Sequence, residues 1–171
     1  MANSAFVVLF KNNLKNEIFL IFRTDYPIWV LTGGGIEKGE SPKEAAGRET
    51  YEETGFKTKI VREVGTYFTK SLNNKRKVYL FEGRYVSGKY CPEFPGNIGK
   101  WFPVNKLPLR ITKMTKDRIS DCLKKQNKPF LKESSSDWVI SNMHLLMLQL
   151  VATIKYMQKH SIRPLKQKSQ S

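Results

Sequence analysis

Residues 34–56 read GGIEKGESPKEAAGRETYEETGF, and the reading of this stretch decides the fold. It holds six acids (Glu37, Glu40, Glu44, Glu49, Glu52 and Glu53) against three bases (Lys38, Lys43 and Arg48), a local charge of −3. The chain of 171 residues carries +15, so everything outside the stretch sums to +18. An acidic knot in so basic a chain needs a counter-charge. Ser41-Pro42-Lys43-Glu44 predicts a helix start: Ser41 caps, Pro42 suits the first helical position because its missing N–H is not needed there, and Glu44 sits three residues after the cap. Gly55 is expected to close the helix in the left-handed conformation that residues with a Cβ avoid. Between these ends Glu49, Glu52 and Glu53 stand at i, i+3 and i+4, which puts their carboxylates on one helical face. Three carboxylates this close repel one another. Oxygen ligands on a rigid element suit a hard divalent cation, Mg²⁺ or Mn²⁺. Arg48 precedes Glu52 by one turn and can also reach back to Glu40, tying loop to helix. The bland alternative is a solvated helix face, the usual meaning of a charge run, and the capping residues, the glycines and Arg48 in register weigh against it.

The order Gly34, five residues, Glu40, seven residues, Arg48-Glu49-Thr50-Tyr51-Glu52-Glu53-Thr54-Gly55-Phe56 resembles the Nudix box, the signature of the MutT-like Nudix hydrolases. Every charged and glycine position of that pattern is filled. Two positions depart from it: Thr50 stands where an aliphatic residue is usual, facing the core beside Ala46, and Thr32 stands where a proline usually precedes the glycines. The resemblance extends more weakly over residues 5–125 and implies an α/β fold, an α/β/α sandwich with a mixed sheet between helices. It also implies that Glu49, Glu52, Glu53 and the carbonyl of Gly33 (or of its neighbour Gly34) bind one to three divalent cations. Glu53 is the general base that the resemblance favours, Glu52 the next, and Arg48 completes the catalytic set. Gly34 and Gly35 are expected to approach substrate, with Glu40 an accessory carboxylate. Many relatives carry a further glutamate just before the tryptophan of a Trp-x-x-x-x-x-Leu-Pro run. Here Trp101 to Pro108 resembles that run, but Lys100 precedes Trp101, which leaves Glu93 as the nearby accessory candidate and Glu82 as a weaker one.

Along the chain, residues 5–10 and 17–22 read as a strand pair and 28–31 as a short strand leading into a glycine loop. Residues 58–67 and 77–85 read as a hairpin with a basic tip at 71–76. There Lys75 and Arg76 could hold substrate phosphates, although a basic tip is more often simply solvated. Tyr67, Phe68, Tyr79 and Phe81 fill core by default and could otherwise stack a base. Residues 91–100 form a Pro/Gly-rich loop before a strand at 101–104. The segment 112–125 is predicted to be a helix with Met114, Ile119, Cys122 and Leu123 inward, covering the sheet face opposite the acidic helix. The residue pattern alone would give only α+β or α/β with one short metal-bearing helix.

A chain of this length supports one domain, here 1–125, with an appendage. Residues 126–136 read as a polar linker, 137–160 as an extra C-terminal helix, and 161–171 as a basic tail. The apolar part of that helix is too interrupted for a membrane span, which needs about 20 nearly unbroken residues. Its Val139, Met143, Leu146, Leu150, Ile154 and Met157 follow helical spacing and are expected to pack on the domain or on a second copy as a homodimer. Residues 155–171 hold five bases and no acid, a segment drawn to RNA or to an anionic membrane. Cys91 and Cys122 lack metal-type spacing, and the start has no basic-then-apolar signal, so a cytoplasmic location is expected. No Ser/His/Asp or Cys/His arrangement is present to suggest a covalent intermediate. The reaction implied is hydrolysis of a nucleoside diphosphate-X substrate, with a (d)NTP cleaved to NMP and pyrophosphate favoured for so compact a chain. Dinucleoside polyphosphates, diphosphoinositol polyphosphates and RNA 5′ ends are the alternatives, and residues 29–35 and 97–102 bear some likeness to the diphosphoinositol group. A non-catalytic nucleotide- or RNA-binding module is the reading from another class. Its hallmark, loss of the glutamates, is not found.

Overall fold

In a computed structural model the described residues are 3–71 and 74–134, together with Met147, Leu150, Val151, Thr153 and Ile154. The apolar run at the start becomes β1 (Ser4–Phe10), buried on both faces, as continuous apolar strands usually are. Ala5, Val7 and Leu9 point to one side and Val8 and Phe10 to the other, the period-two alternation of a strand splitting one run between two cores. β2 (Glu17–Phe22) follows β1 antiparallel, β3 (Trp29–Val30) pairs with β2, and β4 (Thr32–Gly35) pairs antiparallel with β1. The acidic helix is α1 (Pro42–Thr54). β5 (Lys57–Ser71) and β6 (Asn74–Ser87) form a long hairpin whose second strand runs parallel to β1. β7 (Ile98–Pro103) pairs with β2, α2 (Lys113–Leu123) follows, and β8 (Phe130–Glu133) runs parallel to β5. The result is a mixed eight-stranded sheet in the order β3-β2-β1-β6-β5-β8, with β4 added on β1 and β7 on β2.

Two apolar clusters hold the layers together. On the α1 side Ala45, Ala46 and Phe56 pack on Ala5, Val7, Leu9, Phe19, Ile21 and Phe81. On the α2 side Ile119 and Cys122 pack on Val8, Phe10, Ile18, Leu20, Val64 and Leu80. This is the α/β/α arrangement expected, one helix to each face.

Several boundaries differ from the sequence reading, each for a physical reason. The glycines at 33–35 are not a loop but strand β4, because they lie close enough to β1 to join its ladder. The hairpin is longer than predicted at both strands. Lys75 and Arg76 therefore belong to β6, opposite Lys70 and Thr69, and not to a tip. β7 begins at Ile98, inside the expected Pro/Gly loop. In α2 the inward stripe is Thr115, Arg118, Ile119 and Cys122, while Met114 and Leu123 are 42% and 41% exposed. The spacing i, i+3, i+4, i+7 was present in the sequence, but it runs through an arginine. The stretch expected as linker contains β8, whose Phe130 lies opposite Gly65 and packs edge-on against Tyr67 with ring centroids 5.2 Å apart. Most of the expected C-terminal helix, and the whole basic tail, lie outside the described residues. Met147, Leu150, Val151, Thr153 and Ile154 are helical, and Leu150 and Ile154, expected to pack inward, are 55% and 45% exposed. Among the described residues no helix is long and apolar enough to cross a membrane.

Candidate active site

The acidic helix is fixed at both ends by its own sequence. Ser41 Oγ accepts the Glu44 N–H at 3.3 Å and the Glu44 carboxylate accepts the Ser41 N–H at 2.9 Å, a complete capping box. At the other end Gly55 takes φ 71° and donates its N–H to Tyr51 O at 2.7 Å. α1 thus starts and stops where its chemistry dictates, and Glu49, Glu52 and Glu53 share one of its faces.

Arg48 organises them. Its guanidinium donates to both oxygens of Glu40 (2.8 and 2.9 Å), to Glu49 Oε1 (3.0 Å), to Glu52 Oε2 (2.9 Å) and to the carbonyl of Gly35 (3.0 Å). These bonds, the Glu40 pair foremost, raise its pKa and keep it charged at any working pH. Glu40 also accepts the Glu37 N–H, which closes the loop onto the helix. Part of the counter-charge that the acidic knot requires is therefore internal. Arg48 supplies it, bonding two of the three glutamates.

Glu53 is the exception. It makes no ion pair among the described residues and accepts one hydrogen bond, from the Gly33 N–H at 2.9 Å. Burial pushes its carboxyl up to about 7, the Gly33 N–H works against the shift, and the charges of Glu49 and Glu93 add to it. Burial likewise raises the Glu49 carboxyl, against Arg48 and with help from Glu52 and Glu93. Glu93, in the loop before β7, adds its charge to both carboxyls. Glu82 lies elsewhere: it is 2% exposed and is neutralised by Arg62 at 2.8 Å and Lys15 at 2.6 Å, a structural ion pair.

The glycines let β4 and α1 meet. Gly33 has φ 135°, and a Cβ there would overlap the carbonyl of Ala5 on β1. A Cβ on Gly34 would overlap the carboxylate of Glu49, so this acid can reach the strand only because Gly34 has no side chain. The two departures from the box pattern also meet. Thr32 Oγ1 and Thr50 Oγ1 are 3.1 Å apart, both residues are fully buried, and Thr50 donates its one hydroxyl proton to Ala46 O at 2.8 Å. Thr32 must then donate to Thr50. A hydroxyl pair thus replaces apolar packing between β4 and α1, one residue from Gly33 and one from Glu49.

Two cavities flank Glu53. One of about 570 Å³ is lined by Gly33, Gly34, Gly35, Arg23, Arg76 and Arg118, among others. The other, of about 360 Å³, lies between Arg23-Thr24-Asp25 and Phe94-Pro95, with Asn97 beside them. Arg23 borders both and is bonded to Asp25 at 3.0 and 2.5 Å. Arg76, Gly33, Gly34, Gly35 and Glu53 are thus brought to one cavity. For Lys75 the structure gives only a backbone position on β6. Sequence reasoning missed Arg23 and Arg118. The first carries no local signal, and the second is an arginine in an inward stripe that was read correctly at Ile119 and Cys122 but with Met114 and Leu123 for Thr115 and Arg118.

Among the described residues no group of three His, Cys, Asp or Glu side chains is already gathered around a common point. The donors nonetheless fit a hard divalent cation: Glu53 is a half-buried acid raised by burial and then by its neighbours' negative charge, held by one N–H, and Glu49 and Glu52 share its helical face.

Residues 1–121 match the family model of the NUDIX domain. The protein named "Putative 8-oxo-dGTP diphosphatase" of Bacillus subtilis (strain 168) is 34% identical over 118 residues, 68% of this chain and 76% of that protein. Diphosphoinositol polyphosphate phosphohydrolase 2 of Rattus norvegicus is 33% identical over 99 residues, 56% of this chain and 54% of that protein, so the match spans about half of that relative. Among solved structures, an ADP-ribose pyrophosphatase from Streptococcus suis 89-1591 superposes with a TM-score of 0.61 at 19% identity, covering 78% of this chain and 98% of that one. A MutT protein from Methanosarcina mazei Go1 gives 0.57 at 21% identity, covering 70% and 90%. At such identities the structural likeness speaks to the fold alone.

Proposed function

This chain belongs to the Nudix hydrolases and is an enzyme acting on phosphoric anhydrides, and we propose that it uses Mg²⁺ or Mn²⁺ to hydrolyse the diphosphate of a nucleoside diphosphate-X substrate. Glu49, Glu52, Glu53 and the carbonyl of Gly33 would hold the cation. When bound, it supplies positive charge to the diphosphate and acidity to a water. The observation that carries the reading is the placement of Glu53: a half-buried acid, bonded to Gly33 and bordering both cavities, on the same face as Glu49 and Glu52.

The chain's own residues have separable tasks. Glu53 takes a proton from the attacking water as the new P–O bond forms. The anhydride P–O bond breaks, and the departing phosphate keeps the electron pair. Arg48 orients Glu49 and Glu52 through hydrogen bonds and fixes the β4 carbonyl at Gly35, so it acts as a positioning group. Gly35 leaves the strand bare for a phosphate to approach, Gly34 leaves room for the Glu49 carboxylate, and Arg76 lines the same cavity. Glu40 anchors Arg48, and Glu93 adds negative charge to the site from its loop. The substrate favoured by the length of shared sequence is a (d)NTP, cleaved to a monophosphate and pyrophosphate, in keeping with the name of the Bacillus relative. The names of the rat relative and its counterparts make diphosphoinositol polyphosphates the second reading.

The test is phosphate and pyrophosphate release with Mg²⁺ over a panel of diphosphates, comparing wild type with Glu53→Gln. The variant should lose roughly 10²- to 10⁴-fold in kcat on whichever substrate turns over, with little change in KM. Equal rates in the two proteins, or no turnover on any diphosphate, would favour a nucleotide- or RNA-binding module instead.

A further inference from the structure

Arg118 is a charged side chain buried with little compensation. It is 6% exposed, and among the described residues its Nε has no hydrogen-bond partner and no carboxylate pairs with it. Its guanidinium lies over the faces of Phe6 and Tyr67, 4.8 and 5.6 Å from the ring centroids. Such contacts offset only part of the cost of burying an unpaired charge. Beside it Arg76 donates to Ser4 Oγ at 2.7 Å, and its Nε is also buried without a partner. The two arginines disfavour each other's charge, and burial, the larger cause, brings the Arg118 pKa down to about 10. Both line the 570 Å³ cavity, together with Ser4 and with Thr112 and Thr115 from the first turn of α2. That eleven-residue helix has Thr112 as its N-cap and no acid in its first turn, so its positive end also faces this wall. Glu53 and the β4 glycines line the same cavity. Arg23, the third arginine of the lining, is already matched by Asp25.

We propose that Arg76 and Arg118, with Ser4 and the first turn of α2, bind a phosphate carried by the X group, distinct from the two phosphates joined by the scissile bond. This deepens the functional reading above and rests on it, since it takes the scissile diphosphate to lie against Glu53. The field of the cavity is what selects the ligand. Two unpaired guanidiniums offer donors and no acceptor, in a fork that matches phosphate oxygens. A neutral base would leave both charges unmatched, whereas a phosphate in the cavity neutralises them. The cavity therefore favours a diphosphate substrate that carries a further phosphate beyond the scissile pair, whether the terminal phosphate of a (d)NTP or one on a phosphorylated alcohol, over one whose only phosphates are the two being parted.

The test is calorimetric titration at low salt and without divalent metal, using inositol hexakisphosphate as the phosphate-rich probe and dGMP as the base-bearing one. Wild type should bind the hexakisphosphate more tightly than dGMP. Arg118→Met and Arg76→Met should each weaken the hexakisphosphate by roughly tenfold to a hundredfold, as loss of a charged hydrogen bond does. Lys57→Met, which removes one exposed charge elsewhere, should leave its affinity unchanged. Thermal melting separates folding from binding: Arg118→Met should melt at or above the wild-type temperature, since it removes an unpaired buried charge. If Arg118→Met fails to fold, Arg76→Met decides alone. Glu53→Gln should keep hexakisphosphate binding while losing hydrolysis. Binding without turnover on any diphosphate would sink the catalytic reading and leave this site standing. Equal hexakisphosphate affinity in wild type and the arginine variants would overturn the proposal, as would dGMP binding more tightly and losing affinity in those variants, which would make the arginines readers of a guanine edge.

Discussion

At the scale of single residues, the two threonines between β4 and α1 make a directional prediction. Thr50 spends its only proton on Ala46 O, so Thr32 depends on Thr50 as an acceptor, while Thr50 does not depend on Thr32 as a donor. Thr50→Val should therefore strand a buried hydroxyl and cost about 1–3 kcal/mol, whereas Thr32→Val should cost less. The double variant should be more stable than Thr50→Val alone, because it removes both polar groups together. A double-mutant cycle by urea denaturation measures this. Additive losses would show that the two hydroxyls do not interact. Glu53 and Arg118 illustrate the opposite choice. Each is a charged group kept from water with little compensation inside the protein, and each borders the same cavity. Groups of this kind lower stability and persist where a ligand supplies the missing partner.

Among the elements, β8 shows how far the domain extends. Its Phe130 packs on Tyr67 of β5, and Tyr67 in turn donates to Asp121 of α2 at 2.8 Å. Asp121 also accepts Lys124 at 2.6 Å and Lys132, from β8 itself, at 3.0 Å. One strand in a stretch that reads as linker thus braces β5 against α2. Phe130→Ala should destabilise by about 2 kcal/mol, less than a fully buried ring would, and an unchanged urea midpoint would show that β8 contributes no stability. The sequence was clearest where one local rule suffices. The capping box, the left-handed Gly55 and the i, i+3, i+4 glutamates place α1 to the residue, and the apolar run of β1 announces a strand buried on both faces. It was obscure where tertiary contacts decide. Residues 126–134 are polar except for Phe130 and Leu131, so nothing in them marks a strand until Gly65 and Tyr67 are beside them. The α2 stripe was right at Ile119 and Cys122 and wrong at Met114 and Leu123, because Arg118 occupies a core position that hydrophobic periodicity cannot register. The glycines looked like a loop because they lack strand propensity, and only their pairing with β1 makes them β4.

For the molecule as a whole, the charge distribution has one meaning at every level. A chain of +15 sets Glu49, Glu52 and Glu53 on one helix, lets Arg48 hold the first two in place, and lines the cavity beside Glu53 with Arg76 and Arg118, which have no acidic partners among the described residues. A cation at the glutamates and phosphates toward the arginines would complete both halves at once. The most direct measurement is anomalous scattering from a crystal grown with Mn²⁺ and a non-hydrolysable diphosphate. The account predicts an ion within roughly 2.0–2.3 Å of carboxylate oxygens from Glu49, Glu52 or Glu53, with the diphosphate in contact with it. Strong density for the diphosphate with no ion at those glutamates, or an ion bound elsewhere, would contradict it.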